Sequence, residues 1–268
     1  MLFMIFNKSF KDFVLEEVDL LCPSKKKTKY SNSYYYDMIY YVLKNVNSWD
    51  SLRITSKYDG KSKYHYTTIR KIFTKWSKLN VFKKAYNKFI DYYGFNIYHT
   101  KDDIFIDATF INNKTGSEMV NVNPLYYKKN MTKLSVICDS NKIPINVVPV
   151  KTNTYDGDTI VESVKEVKIK KKTNLIADKG YIKGKEFKHS LIKNHKLKLI
   201  HPKKKNQKNI RISKIMREKL RIRNKVENTI QMIKSYDRIN FRKDRLICNY
   251  MNFVYMGIGI KVNNKINS

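Results

Sequence analysis

The hydrophobic period of the chain changes at Gly94, and that change limits the fold more than any other feature of the sequence. Ahead of it, apolar residues recur every three or four positions: Met38, Ile39, Val42, Leu43 and Val46; Ile69, Ile72, Phe73, Trp76 and Leu79; then Val81, Phe82, Ala85, Tyr86, Phe89 and Ile90. Such spacing lays an apolar stripe along one face of a helix. Thr67 or Thr68 stands where a cap for the second of these helices belongs. Residues 1–30 read as a short amphipathic lead that ends in the Lys25-Lys26-Lys27 run. Beyond Gly94 the segments 104–109, 133–138 and 143–150 have the length and composition of strands, with a turn at Asp139-Ser-Asn-Lys142. Asp158 is placed to cap a helix carrying Ile160, Val161, Val164 and Val167, and a buried strand at 174–177 follows. A helix around 187–192 and a strand at 197–200 repeat that unit, and strand–helix–strand succession implies parallel crossovers. The expected fold is therefore α/β, a mixed sheet flanked by helices and preceded by a small all-helical domain. A chain of 268 residues has room for both, and the expected division is 1–95 and 96–268.

Charge narrows the partners. The formal net charge is +32 and the pI about 9.9, a balance that points to a polyanion, most simply nucleic acid. Lysine alone is a blunt indicator here, because Lys, Asn, Ile and Tyr are all spelled by A- and T-rich codons and all are abundant. Arginine is sharper. Nine occur, and seven of them, Arg211, Arg217, Arg221, Arg223, Arg238, Arg242 and Arg245, fall within 35 residues, where a planar fork suited to phosphate or carboxylate is concentrated. Helices of the amino-terminal part either present Lys and Tyr to a duplex, as helix-turn-helix elements do, or form a cap that touches no DNA. Cys22, Cys138 and Cys248 are far apart and suggest neither a zinc site nor a disulfide framework. The opening Met-Leu-Phe-Met-Ile-Phe is too short for a signal peptide, and the apolar run 246–260 is short and holds two Asn, so an intracellular protein without a membrane span is expected.

Three acids stand out. Asp107 and Asp178 lie at or near the carboxyl ends of expected strands, where an uncompensated charge beside a core is costly. Glu227 sits on a helix, with Arg223 one turn before it and Lys234 two turns after, all within roughly 40° of one another, and with Ile222, Val226, Thr229 and Ile233 on an adjoining face. On geometry alone the helix row reads first as a solvated series of ion pairs worth about 0.3–0.5 kcal/mol each. An all-oxygen ligand set suits Mg²⁺ or Mn²⁺, and two such ions about 3.5–4 Å apart support phosphoryl transfer.

Taken together, these residues resemble DDE transposases of the insertion-sequence-five group over nearly the whole chain. Asp107 in the heptapeptide 105–111 (FIDATFI) and Asp178 in the hexapeptide 176–181 (IADKGY) look like that family's two aspartates, and Glu227 like its glutamate. The family's Tyr, Arg, Glu and Lys series around that glutamate is matched by Arg223, Glu227 and Lys234, with Leu220 in place of Tyr. Asn153-Thr-Tyr-Asp156 is similar to the family's Asn-x-His-Asp, and Arg238 and Arg242 match arginines after the catalytic helix. The segments 39–52 and 68–82 are similar to its helical DNA-binding part. What the resemblance implies is a ribonuclease-H-like catalytic domain, with Asp107, Asp178 and Glu227 as catalytic residues and ligands of two Mg²⁺ or Mn²⁺ ions. It also implies DNA contacts from Arg223, Lys234, Arg238, Arg242 and Lys133, double-stranded DNA ends and target as partners, and a homo-oligomeric synaptic complex. The interval from Asp178 to Glu227 leaves no room for the all-β insertion of some related transposases. A structure-specific nuclease of the same fold, or a domesticated DNA-binding descendant, would carry part of the same pattern.

Overall fold

The structure is a computed structural model, and it describes residues 8–23, 30–45, 48–52, 66–94, 103–123, 129–167, 169, 172–202, 214–221 and 223–268. The chain divides into two compact units, Met1–Tyr93 with Ile233–Ser268, and Gly94–Met232. The boundary at Gly94 is close to the expected one. The carboxyl-terminal segment differs from expectation, because it groups with the amino-terminal helices instead of completing the second domain. Long apolar helices are sorted by the surface that covers them, which sequence order does not encode.

In the helical unit, α1 (Phe10–Leu21) arises from what reads as a lead, and it starts at a capping box in which Ser9 and Asp12 satisfy each other's backbone N–H. Such a cap is worth about 1 kcal/mol. Three further helices follow, α2 (Asn32–Lys44), α3 (Tyr66–Lys78) and α4 (Val81–Tyr92). Thr67 and Thr68 lie within helix α3 and do not cap it.

The second unit is built on a mixed sheet. Strands β1 (Ile104–Asn113) and β3 (Lys129–Cys138) pair antiparallel, with β2 (Asn121–Asn123) and β4 (Pro144–Val150) both paired to β3. A short helix α5 (Thr159–Val164) leads to β5 (Thr173–Ile176), which pairs parallel with β1, and α6 (Lys185–His195) leads to β6 (Leu197–Ile200), which pairs parallel with β5. The order is β2-β3-β1-β5-β6 with β4 beside β3, the mixed sheet and crossovers that the sequence pattern predicts. Alternation along β1 decides the faces. Ile104 and Ile106 enter a core with Ile137, Leu175, Ala177 and Leu197, covered by Ile160 and Val164 of α5 and Leu191 of α6. Phe105 and Asp107 therefore point to the opposite face. Asp158 occupies the cap position of α5, but its carboxylate makes no capping bond and pairs with Lys183 instead.

Two helices close this unit, α7 (Lys214–Arg221) and α8 (Asn224–Lys234), the division between units falling near the end of α8. The expected basic loop at 203–211 and Ile222 lie outside the described residues. Helix α8 covers the Phe105 face: the Lys225 ammonium stands 5.9 Å from the Phe105 ring centroid, and Thr229 donates to Lys142 O at 3.3 Å. Val226 and Thr229 are buried.

The chain then returns to the helical unit with α9 (Asp237–Asn240) and α10 (Ile247–Ile266). Helix α10 is the centre of that unit. Gly259 accepts the Phe10 ring so closely that a Cβ there would stand 2.3 Å from it, and the Phe10 amide donates to Asn263 at 2.9 Å. Asn252, buried, donates to Ser77 O and accepts from the Phe82 amide, tying the end of α3 to the start of α4. This explains a polar residue in an otherwise apolar run. Among the described residues no helix is long and apolar enough to cross a membrane.

Candidate active site

Sheet register brings the two aspartates together. Phe105 pairs with Ile176 in the parallel β1–β5 ladder, and Asp107 and Asp178 each lie two residues further along. Asp107 is still within β1, whereas Asp178 lies just past the last residue of β5, so the register carries both towards the same edge of the sheet. The Asp107 carboxylate accepts its neighbour Ala108 N–H at 2.8 Å. Burial pushes its pKa up to about 6, the Ala108 N–H pulls it down, Asp178 pushes it up, Arg223 pulls it down and Asp156 pushes it up. Three charged groups are thus felt at one carboxyl. Asp178 ends its strand as the cap of a short turn, Lys179–Tyr181, and accepts the Gly180 N–H at 2.6 Å.

Glu227 is turned differently. It lies in the first turn of α8, where a negative charge is favoured by the helix dipole, and it is exposed. Its Oε1 takes the Arg223 guanidinium at 3.0 Å, while the same guanidinium stands 3.6 Å from Asp178 Oδ2. Arg223 therefore bridges the second aspartate and the glutamate. Among the described residues no three acidic, His or Cys side chains converge as a metal cluster. The donors nonetheless fit a divalent ion in kind. The donors are hard carboxylate oxygens, the kind a divalent ion of the Mg²⁺ class takes, and burial together with the Asp178 charge disfavours the ionised form of Asp107, a cost that a bound cation would relieve.

Three residues expected to contact DNA have internal partners. Lys133 is buried, donating to Thr154 O at 2.7 Å and pairing with Asp156 at 2.5 Å. Arg238 is buried, 3.1 Å from Asp244, with its guanidinium 4.5 Å from the Phe253 ring centroid and 5.5 Å from that of Trp49. Arg242, also buried, donates to the backbone carbonyls of Asp244 and Arg245 at 3.0 Å each. An arginine-rich stretch reads alike whether its forks face phosphate or the interior. Lys234 is half-buried, and burial lowers its pKa; Leu220, standing for the family's Tyr, is half-buried in α7. Asp156 was given no role by its sequence, since it lies at no strand end. The signal that marked it was the match at 153–156.

Comparison with known proteins gives three findings. No curated protein matches the sequence. A chain from the cryo-EM structure of the piggyBac transposase synaptic complex with hairpin DNA is similar in fold, with a TM-score of 0.52 at 12% identity over 98% of this chain and 75% of that one. Residues 98–254, more than half the chain, match the family described as the transposase DDE domain. That span contains Asp107, Asp178 and Glu227, and on it this protein belongs to the transposase DDE domain family, enzymes that cut and join DNA.

Proposed function

We propose that the protein binds the ends of its own mobile element and catalyses their hydrolysis and transfer, as a member of the insertion-sequence-five group. Asp107, Asp178 and Glu227 would hold the divalent ions. Bound there, the ions supply an activated attacking oxygen and stabilise the leaving oxygen. The single observation that carries this reading is the parallel pairing of β1 with β5, which brings Asp107 and, two residues past the end of β5, Asp178 into one neighbourhood where Asp107 feels the Asp178 charge. Arg223 holds Glu227 and Asp178, and its guanidinium stands where it would meet a phosphate brought to these acids.

End binding is assigned to the helical part of the chain. A groove of about 350 Å³ on α3 is lined by Thr67, Arg70, Lys71 and Thr74, positions that share one face at helical spacing and offer hydroxyls and cations to a DNA backbone. Two copies on two ends would form the synaptic complex, and the protein would act inside the cell. Incubation with a plasmid carrying the DNA that flanks its gene, in Mg²⁺, tests the reading. Cleavage at the element boundaries and joined products are expected; a plasmid left intact, or cut without regard to the flanks, overturns it.

A further inference from the structure

Asp156 is the carboxylate that the proposed reaction does not use. It stands at the start of a short turn, Asp156–Asp158, that faces the Lys179–Tyr181 turn. Several contacts hold the two turns together. Lys133, rising from β3 and nearly fully buried, pairs with Asp156 at 2.5 Å. Lys183 pairs with Asp158, and the Tyr155 hydroxyl donates to Ile182 O at 3.4 Å. The point of approach is Gly180. A Cβ at that position would stand 2.7 Å from Asp156 Oδ2 and 2.9 Å from Asp178 Oδ1, so the two carboxylates face each other across a residue with no side chain. Under them lies Tyr181, fully buried, with a hydroxyl that has no hydrogen-bond partner among the described residues.

We propose that Asp156, anchored by Lys133, is a positioning residue for the cation site: it presses on Gly180 and so fixes the turn whose amide orients Asp178. The inference rests on the proposed divalent-ion reading of Asp107 and Asp178. The division of labour follows from the contacts. Lys133 neutralises Asp156, which lets a third carboxylate stand beside the other two without driving them apart. Gly180 supplies both the amide that orients Asp178 and the gap into which Asp156 fits. Groups that orient metal ligands in this way change metal affinity or activity by roughly 10–100-fold when removed.

The test uses the full chain and Mn²⁺ as probe. Calorimetric Mn²⁺ titration of Asp156→Asn should show binding weakened by about 10–100-fold, with cleavage recovering towards the wild-type rate as the metal is raised. Gly180→Ala should act in the same direction, because its backbone conformation accepts alanine and only the two carboxylates must move. Lys133→Met should lower thermal stability by leaving Asp156 unpaired, and the double variant Lys133→Met/Asp156→Asn should regain stability without regaining Mn²⁺ affinity. If Asp156→Asn and Gly180→Ala fold and bind Mn²⁺ as the wild type does while Asp107→Asn does not, Asp156 is structural only and the proposal falls. If Asp107→Asn also binds Mn²⁺ normally, the divalent-ion reading itself falls. Should Asp156→Asn not fold, Gly180→Ala decides alone.

Discussion

Two charged clusters draw on the same arginine-rich stretch, and they differ in burial. In the α/β unit, Arg223 meets Asp178 and Glu227 at a half-open edge where acids outnumber cations. In the helical unit, Arg238 and Arg242 surround Asp244 in the interior, over the rings of Phe253 and Tyr250. The first cluster holds a surplus of negative charge that an incoming cation can relieve. The second is closed, each cation having its acceptor and its ring. The difference teaches that local residue type does not assign a charged residue to chemistry or to stability. Access to solvent and the balance of charge around the group do.

The comparison can be broken by substitution. Replacing Asp107 or Asp178 by Asn, or Glu227 by Gln, is expected to reduce metal-dependent DNA cleavage on the order of a thousandfold, with DNA affinity nearly unchanged and thermal stability held or raised. A Glu227→Gln protein that cleaves at the wild-type rate would remove Glu227 from the site. The opposite pattern is expected in the helical unit. Asp244→Ala or Arg238→Met should cost about 3–5 kcal/mol in urea unfolding, the loss that follows when one partner of a buried pair is deleted. Joint replacement by apolar residues should cost less than either alone. A destabilisation under about 1 kcal/mol for the single changes would show that this cluster is not closed.

A pH experiment sharpens the contrast. With its pKa raised to about 6 in the fold, against about 3.9 unfolded, Asp107 binds more protons folded than unfolded between those values. Its contribution to stability is therefore fully present below about pH 3.9 and is lost as pH rises through 6. In metal-free protein the melting temperature should fall across that window relative to Asp107→Asn, and added Mg²⁺ at pH 7.5 should restore it. Identical pH profiles for the two proteins would rule out the raised pKa. The smallest effect concerns salt. Arg223→Gln should reduce the log–log salt slope of DNA binding by about one, whereas a buried Arg242→Gln that still folds should leave the slope unchanged. Equal slopes for all three proteins would place Arg223 outside the DNA contact.

Much of the α/β unit was legible in the chain. The period change at Gly94, the turn at 139–142 and the repeated strand–helix–strand pattern gave the sheet, because alternation and crossover length depend on local spacing. Strand β6 falls at the residues its pattern indicated. Helix α1 was not legible as a helix, since its signal is a capping box inside a short segment, and β2 at Asn121–Asn123 carries no apolar alternation. The acidic pair was legible as two strand-end aspartates. Asp156 was not, because its role depends on a turn facing another turn across Gly180.

By itself, then, the sequence determined most of the elements, through periodicity and spacing, and marked the three acids as candidates, through their positions and the family match. The tertiary structure alone decided three things. Parallel register of β1 and β5 carried Asp107 and Asp178 towards one edge of the sheet. Packing of α10 against α1, α3 and α4 returned the carboxyl terminus to the helical unit. Burial turned Lys133, Arg238 and Arg242 inward to acceptors of their own chain. The physical reason is common to all three: which surface covers a residue is set by contacts between segments far apart in the chain, and no local pattern carries that information.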